Sequence, residues 1–264
     1  MKNLEPSTHA ADLSNRYTTA RVLLSEEMYG EGYQSSGGRE LAKELIPKLH
    51  LCPNKTLLEV GCGTGGTALL AAKEFGLKVT AVDQASDNIA LCQRRVASHS
   101  LEEKISLTLG DATTVTFKEK HHGLWCSDVL MYVADKSSLF KNVARALHTG
   151  ARGMILDYGS GNAPQSPEYV EYTTSAGYHL PKLLEYASTL ESSGFRCLEA
   201  IDYTERFISM MEEELRHLAK NKDIFINTHG EQQYHHFVER WERKIRFCTQ
   251  DWMRAFSFYI EKKS

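Results

Sequence analysis

A chain of 264 residues can bury a full core as one domain, and a formal net charge of −3 leaves no basic footprint for nucleic acid or an anionic membrane surface. No run of about 18 apolar residues occurs, so no spanning helix is expected, and the polar N-terminus lacks the apolar centre of a secretory signal. Six cysteines without a C-x-x-C pair read as reduced thiols of a cytoplasmic protein, and eleven histidines without an H-E-x-x-H pattern predict no metal.

In chain order, residues 1–15 are expected to be loose. Residues 16–38 carry Tyr17, Tyr29 and Tyr33 and then Ser35-Ser36-Gly37-Gly38, an aromatic segment able to fold over a pocket as a lid or to pack on the sheet edge. A helix is predicted over 39–49, with Leu41, Leu45 and Leu49 on one side. Leu57 to Val60 read as a buried strand running into Gly61-Cys62-Gly63-Thr64-Gly65-Gly66 and then a helix over 67–75, closed by Gly76. Glycines at 61, 63 and 65 are expected to keep side chains from between the backbone and a ligand. A second strand, 78–82, ends in Asp83, about twenty residues after the turn, where a carboxylate can take a ribose hydroxyl.

Ser86 reads as the N-cap of a helix to about residue 99. Strands over 105–109, 123–127 and 153–157 follow, and Asp135 caps a helix over 136–147. Asp83, Asp111, Asp128 and Tyr158 thus all fall at or just past strand C-termini, the edge where open parallel sheets bind ligands. A helix starting at Pro181 and ending at Gly194 precedes a sixth strand over 195–203. A long charged helical run, 204–253, carries apolar stripes including Phe207 and Met211, then Phe237, Trp241 and Cys248. Lys244 lies on or beside the second stripe and must meet an anion, either a protein carboxylate or a substrate. His235 and His236 are read as a solvated helix face. A last strand over 256–260 should pair antiparallel beside the sixth. The predicted fold class is α/β: a doubly wound, Rossmann-like sheet of seven strands, the last antiparallel, with an N-terminal lid and a helical insertion before the last strand.

Glu59 before the turn, in E-x-G-x-G-x-G, is similar to the first motif of the class I S-adenosylmethionine (SAM) methyltransferases. An acidic turn suits a sulfonium cation and would repel a dinucleotide. The resemblance implies SAM as cofactor, S-adenosylhomocysteine as product and no metal. A closer resemblance, spanning nearly the whole chain, is to the phosphoethanolamine N-methyltransferases, above all the small single-domain form of malaria parasites. It rests on Tyr17-Thr18, on Tyr29-Gly30-Glu31-Gly32-Tyr33-Gln34-Ser35-Ser36-Gly37-Gly38, on Asp157-Tyr158 and on Trp241-Glu242-Arg243-Lys244-Ile245.

That resemblance implies a lid tyrosine at Tyr17, an acid facing the substrate nitrogen at Asp128, and phosphate-holding groups at Tyr158, Tyr178 and Lys244. It implies a cofactor lining of Gln34, Ser35, Glu59, Gly61, Gly63, Gly65, Asp83, Gln84, Asp111, Ala112 and Ser127. Tyr132, Ser127 and Ala176 stand where the family has a histidine and two arginines, which makes Tyr132 a candidate catalytic or positioning phenol. A phosphate would then meet mainly Lys244 and tyrosine hydroxyls, and a small amine bearing a carboxylate, or no anion, suits those changes as well. One domain is expected, with residues 1–50 as lid and first helix, 51–158 as cofactor core and 159–264 on the substrate side. It is expected to act as a monomer on a small-molecule amine, without nucleic acid or membrane.

Overall fold

A computed structural model describes residues 19–264, with side chains from residue 24. Tyr17 lies outside the described residues. The backbone forms one seven-stranded sheet in the order β3-β2-β1-β4-β5-β7-β6. Its strands are β1 (Thr56–Val60), β2 (Lys78–Asp83), β3 (Ile105–Leu109), β4 (His121–Ser127), β5 (Leu147–Ser160), β6 (Phe195–Asp202) and β7 (Met253–Lys262). The first five pair in parallel, and β7 enters antiparallel between β5 and β6, beside the sixth strand as expected.

β1 sits between β2 and β4, where the strand order reverses. Leu57, Leu58, Glu59 and Val60 are all buried, as a parallel strand covered on both faces requires. Crossover connections of opposite sense part at this strand, which opens a crevice beyond its C-terminal end, where the glycine turn emerges.

The helices are α1 (Thr19–Tyr29), α2 (Gly38–Leu45), α3 (Gly66–Glu74), α4 (Ser86–Ser98), α5 (Lys136–Arg145), α6 (Pro167–Ala176), α7 (Leu183–Ser192), α8 (Thr204–Lys220), α9 (Lys222–His229) and α10 (Glu231–Thr249). Several bounds differ from the sequence reading for identifiable reasons. The predicted helix over 39–49 ends at Leu45 and tightens into a 3₁₀ turn, Ile46–Leu49, because Pro47 has no N–H to give. Ser86 is the first helical residue of α4 and not its cap; the capping position is Ala85, whose N–H donates to Asp83 Oδ1 at 2.8 Å. β5 and β7 outrun their predicted bounds because they pair with each other from Arg152↔Glu261 to Ser160↔Met253. The helical run after β6 breaks at Asn221 and at Gly230, whose φ is +87°.

α1 is fastened from two sides. Glu26 is buried and forms an ion pair with buried Arg95 of α4, and it also accepts from Thr64 Oγ1 at 2.5 Å. Arg95 Nη1 donates onward to the Thr64 carbonyl at 3.0 Å, so the same pair grips the glycine turn. On its other side Tyr29 stacks on Trp241 of α10, with centroids 5.7 Å apart. Removing one member of a buried pair strands the other charge. Glu26→Ala should therefore cost about 3–5 kcal/mol of stability, read as a lower urea midpoint with an unchanged slope.

Candidate active site

A cavity of about 890 Å³ opens at the C-terminal ends of β1, β2, β4 and β5, roofed by the segment after α1 and by α10. That size is within the range of small-molecule sites.

The turn after β1 has three left-handed glycines, with φ of +74°, +53° and +95° at Gly61, Gly63 and Gly65. The sequence reading assigned their bareness to a ligand, but the chain itself fills two of these places. A Cβ on Gly61 would lie 2.0 Å from Val129 Cγ2, and one on Gly65 would lie 2.4 Å from Cys92 Sγ. At Gly63 the nearest atom is Gln34 Nε2, at 3.0 Å. Gly63 donates its N–H to Asp83 Oδ2 at 2.8 Å, so Asp83 braces the turn as well as facing the cavity. Burial raises the Asp83 pKa, against the pull of those backbone donors.

Glu59 lies behind the turn, 3% exposed, with Oε2 buried and without a hydrogen-bond partner among the described residues. Burial pushes its pKa well above the carboxylate range, and Asp83 adds to the shift. A buried acid oxygen with no donor, lining a cavity, fits a ligand that brings a cation or a donor of its own. Gln34, Ser35, Gln84, Asp111 and Ala112 line the same cavity.

Asp128 has φ of +56°, a left-handed backbone that a non-glycine residue adopts only where its surroundings hold it. Its N–H donates to the Leu156 carbonyl at 2.9 Å, and its Oδ2 accepts from Ser127 Oγ at 2.8 Å. Ser127 lines the cavity, and its hydroxyl is engaged with Asp128.

The expected phenols meet on the far wall. Tyr178 lies edge-on to Tyr132 and Tyr172, at centroid separations of 5.3 and 5.8 Å, and 6.4 Å from Tyr158. Lys244 Nζ donates to Tyr158 Oη at 3.1 Å and sits 4.6 Å from the centre of that ring. Lys244 is buried, and no carboxylate forms a salt bridge with it among the described residues; burial and then Arg240 pull its pKa down to about 8.

The site also contains groups the sequence reading did not assign. Arg240 and Arg243 line the cavity from α10, as does His236, which was expected to be only solvated helix surface. The signal for the arginines was helical spacing: residues three and four apart share a face, and Arg240 precedes Lys244 by one turn. Glu214 of α8 accepts from Ser36 Oγ at 2.9 Å, Gly37 N at 3.3 Å and Trp241 Nε1 at 2.6 Å, a convergence no local pattern reveals. Among the described residues no group of three or more His, Cys, Asp or Glu side chains could hold a metal ion, and no helix is long and apolar enough to cross a membrane.

Residues 57–150 match the family described as "Methyltransferase domain". With the strand order and the glycine crevice, the chain has the fold of the class I methyltransferases. Over nearly its whole length the chain is similar to phosphoethanolamine N-methyltransferases. It is 31% identical to maize phosphoethanolamine N-methyltransferase 1 over 232 residues, covering 88% of this chain and 46% of that one. With the Plasmodium falciparum phosphoethanolamine N-methyltransferase it shares 27% over 237 residues, 88% of each chain. Phosphoethanolamine N-methyltransferase 2 of Haemonchus contortus, solved with S-adenosyl-L-methionine, superposes with a TM-score of 0.92 at 25% identity, over 100% of this chain and 61% of that one. The chain spans about half the length of the plant relatives.

A carboxyl with a raised folded-state pKa stabilises the fold fully only below its unfolded value, and that contribution is lost as pH rises through the folded value. Glu59→Gln should therefore raise the melting temperature of the ligand-free protein at pH 8 and make much less difference near pH 4. Differential scanning calorimetry across that range checks this.

Proposed function

We propose that this chain is a SAM-dependent methyltransferase that methylates the nitrogen of a small amine of the phosphoethanolamine type. The observation that carries the reading is the cavity's separation of charge. Glu59, Asp83, Asp111 and Asp128 come from the strands and the turns that follow them, while buried Lys244 comes from α10 and donates to Tyr158. Such a cavity suits a cationic cofactor on one side and a zwitterion on the other, with its amine toward Asp128 and its anion toward α10.

The glycine turn, Glu59 and Asp83 would hold the cofactor, with Gln34, Ser35, Gln84, Asp111, Ala112 and Ser127 around it. When bound, SAM supplies a methyl group already activated by its sulfonium, for in-line transfer to an amine. Asp128 accepts the proton the amine must lose before it attacks, and the Ser127 hydroxyl orients that carboxylate. Tyr132, packed on Tyr178, positions the nitrogen, and Tyr17, outside the described residues, is assigned the lid role by the family resemblance alone. The aromatic wall tolerates the cation that forms and keeps water away. Tyr158, Tyr178 and Lys244 bind the anion. The chain works as one unit, with residues 1–50 closing the site, 51–158 holding the cofactor and 159–264 the acceptor. All six cysteines are free thiols, which supports a reducing compartment such as the cytoplasm.

Methyl transfer from SAM to ethanolamine phosphate and its mono- and dimethyl forms, compared with ethanolamine and glycine, tests the reading. Turnover confined to the phosphorylated amines supports it, and turnover confined to the others removes the phosphate. Asp128→Ala should lower kcat by about 10²–10⁴-fold while SAM titrates in by calorimetry as before. Phosphocholine has no titrating amine and so isolates Lys244. Above about pH 7, where its phosphate is already a dianion, its binding should weaken as the ammonium discharges through about pH 8. Lys244→Met should be weaker throughout and flat over that range. The charged and titratable groups around that ammonium are Arg240, Asp128, Cys248, Glu214 and Tyr158.

A further inference from the structure

α10 turns three cations toward the cavity: Arg240, Arg243 and Lys244. The spacing places all three on one face. Among the described residues none of the three forms a salt bridge with a carboxylate, whereas Arg246, on the outer face of the same helix, is held by both oxygens of Glu168 at 2.7 and 2.6 Å.

The inward cations rest on rings instead. The Arg240 guanidinium lies 5.2 Å from the Trp241 ring, that of Arg243 lies 5.0 Å from Tyr172, and Lys244 Nζ lies 4.6 Å from Tyr158. Among the described residues Arg243 Nε is buried without a hydrogen-bond partner. Arg240 repels the Lys244 ammonium, and Asp128 and Glu214, which act on it in the opposite sense, form no salt bridge with it, so the ring faces leave much of the repulsion in place. The acids that line the cavity come from the strand ends. Ala176 and Tyr178 also line the cavity from the end of α6 and just beyond it.

We infer that Arg240 and Arg243 join Lys244 in a dianion subsite on α10 that selects a phosphomonoester over a carboxylate. This rests on the methyltransferase reading above and deepens it. It also revises the expectation that a phosphate would meet mainly Lys244 and tyrosine hydroxyls. Serine at 127 and alanine at 176 take guanidinium away from two places, and α10 returns it to the same cavity from a third. A guanidinium can offer a phosphate two parallel N–H donors, and Lys244 adds a point charge at the Tyr158 hydroxyl. Three positive charges match a phosphate carrying nearly two negative ones and exceed what a carboxylate can neutralise.

The test uses the full chain, with phosphocholine and inorganic phosphate as binding probes and ethanolamine phosphate as substrate. Arg240→Gln and Arg243→Gln should each weaken both probes and raise KM by about ten- to a hundredfold. SAM affinity should stay the same and kcat at saturation should change less than about threefold. Arg240→Lys should recover only part of the loss, since an ammonium restores charge without the paired donors. Wild-type protein should bind phosphocholine far more tightly than glycine betaine, its carboxylate counterpart. Unchanged probe binding in both glutamine variants overturns the inference, as does equal binding of phosphocholine and glycine betaine. A wild type that binds phosphocholine tightly through these arginines but methylates no amine keeps the subsite and removes the activity. A melting curve and SAM titration of each variant separate a folding defect from a binding one, and Arg240→Lys keeps the charge where glutamine is not tolerated.

Discussion

The buried pair of Glu26 and Arg95 is the constraint on which the working end of this molecule depends. Isolated charges in a protein interior are costly, and these two are tolerable only together. Their geometry does more than cancel charge, because Thr64 of the glycine turn is bonded to both. The turn, α1 and α4 are therefore registered against one another by a single salt bridge. The roof of the cavity starts from α1, so the pair also sets how that roof meets the floor.

Above this foundation the cavity is organised by charge. The parallel strands deliver acids at their ends because each chain reversal there needs polar residues, and the reversal of strand order leaves room for something between them. Glu59 and Asp83 have raised pKa values for the same reason: burial without enough compensating charge. Lys244 of α10 shows the opposite effect, its pKa pulled down by burial. Ligands bringing the missing countercharges would relieve both walls at once, so cofactor and acceptor should each favour the closed arrangement.

Much of the fold is legible in the sequence. Leu57 to Val60 and the glycines after them announce a strand, a turn and a helix, and Asp111 and Asp128 fall just past strand ends by simple counting, whereas Tyr158 lies inside β5, which runs on to Ser160. What escaped were features made by distant partners. The length of β5 is set by β7, almost a hundred residues away in sequence, and not by its own composition. Gly61 and Gly65 looked like concessions to a ligand and are in part concessions to Val129 and Cys92. Lys244 was legible as a buried cation, but Arg240 was hidden in a charged stretch, because charge alone does not say which face of a helix turns inward.

Glu214 carries a consequence of a different kind. One carboxylate accepts from Ser36, Gly37 and Trp241, so it ties the N-terminal segment, α8 and α10 at a single knot. None of the three donors can withdraw without weakening the hold on a charge that burial has already made less comfortable. The roof is thus coupled to the helix that bears the cations, and on the proposed reading a movement admitting an acceptor would displace the groups that grasp it. Entry and recognition become a single mechanical event, and a molecule unable to engage α10 would have little means of keeping the door shut behind it.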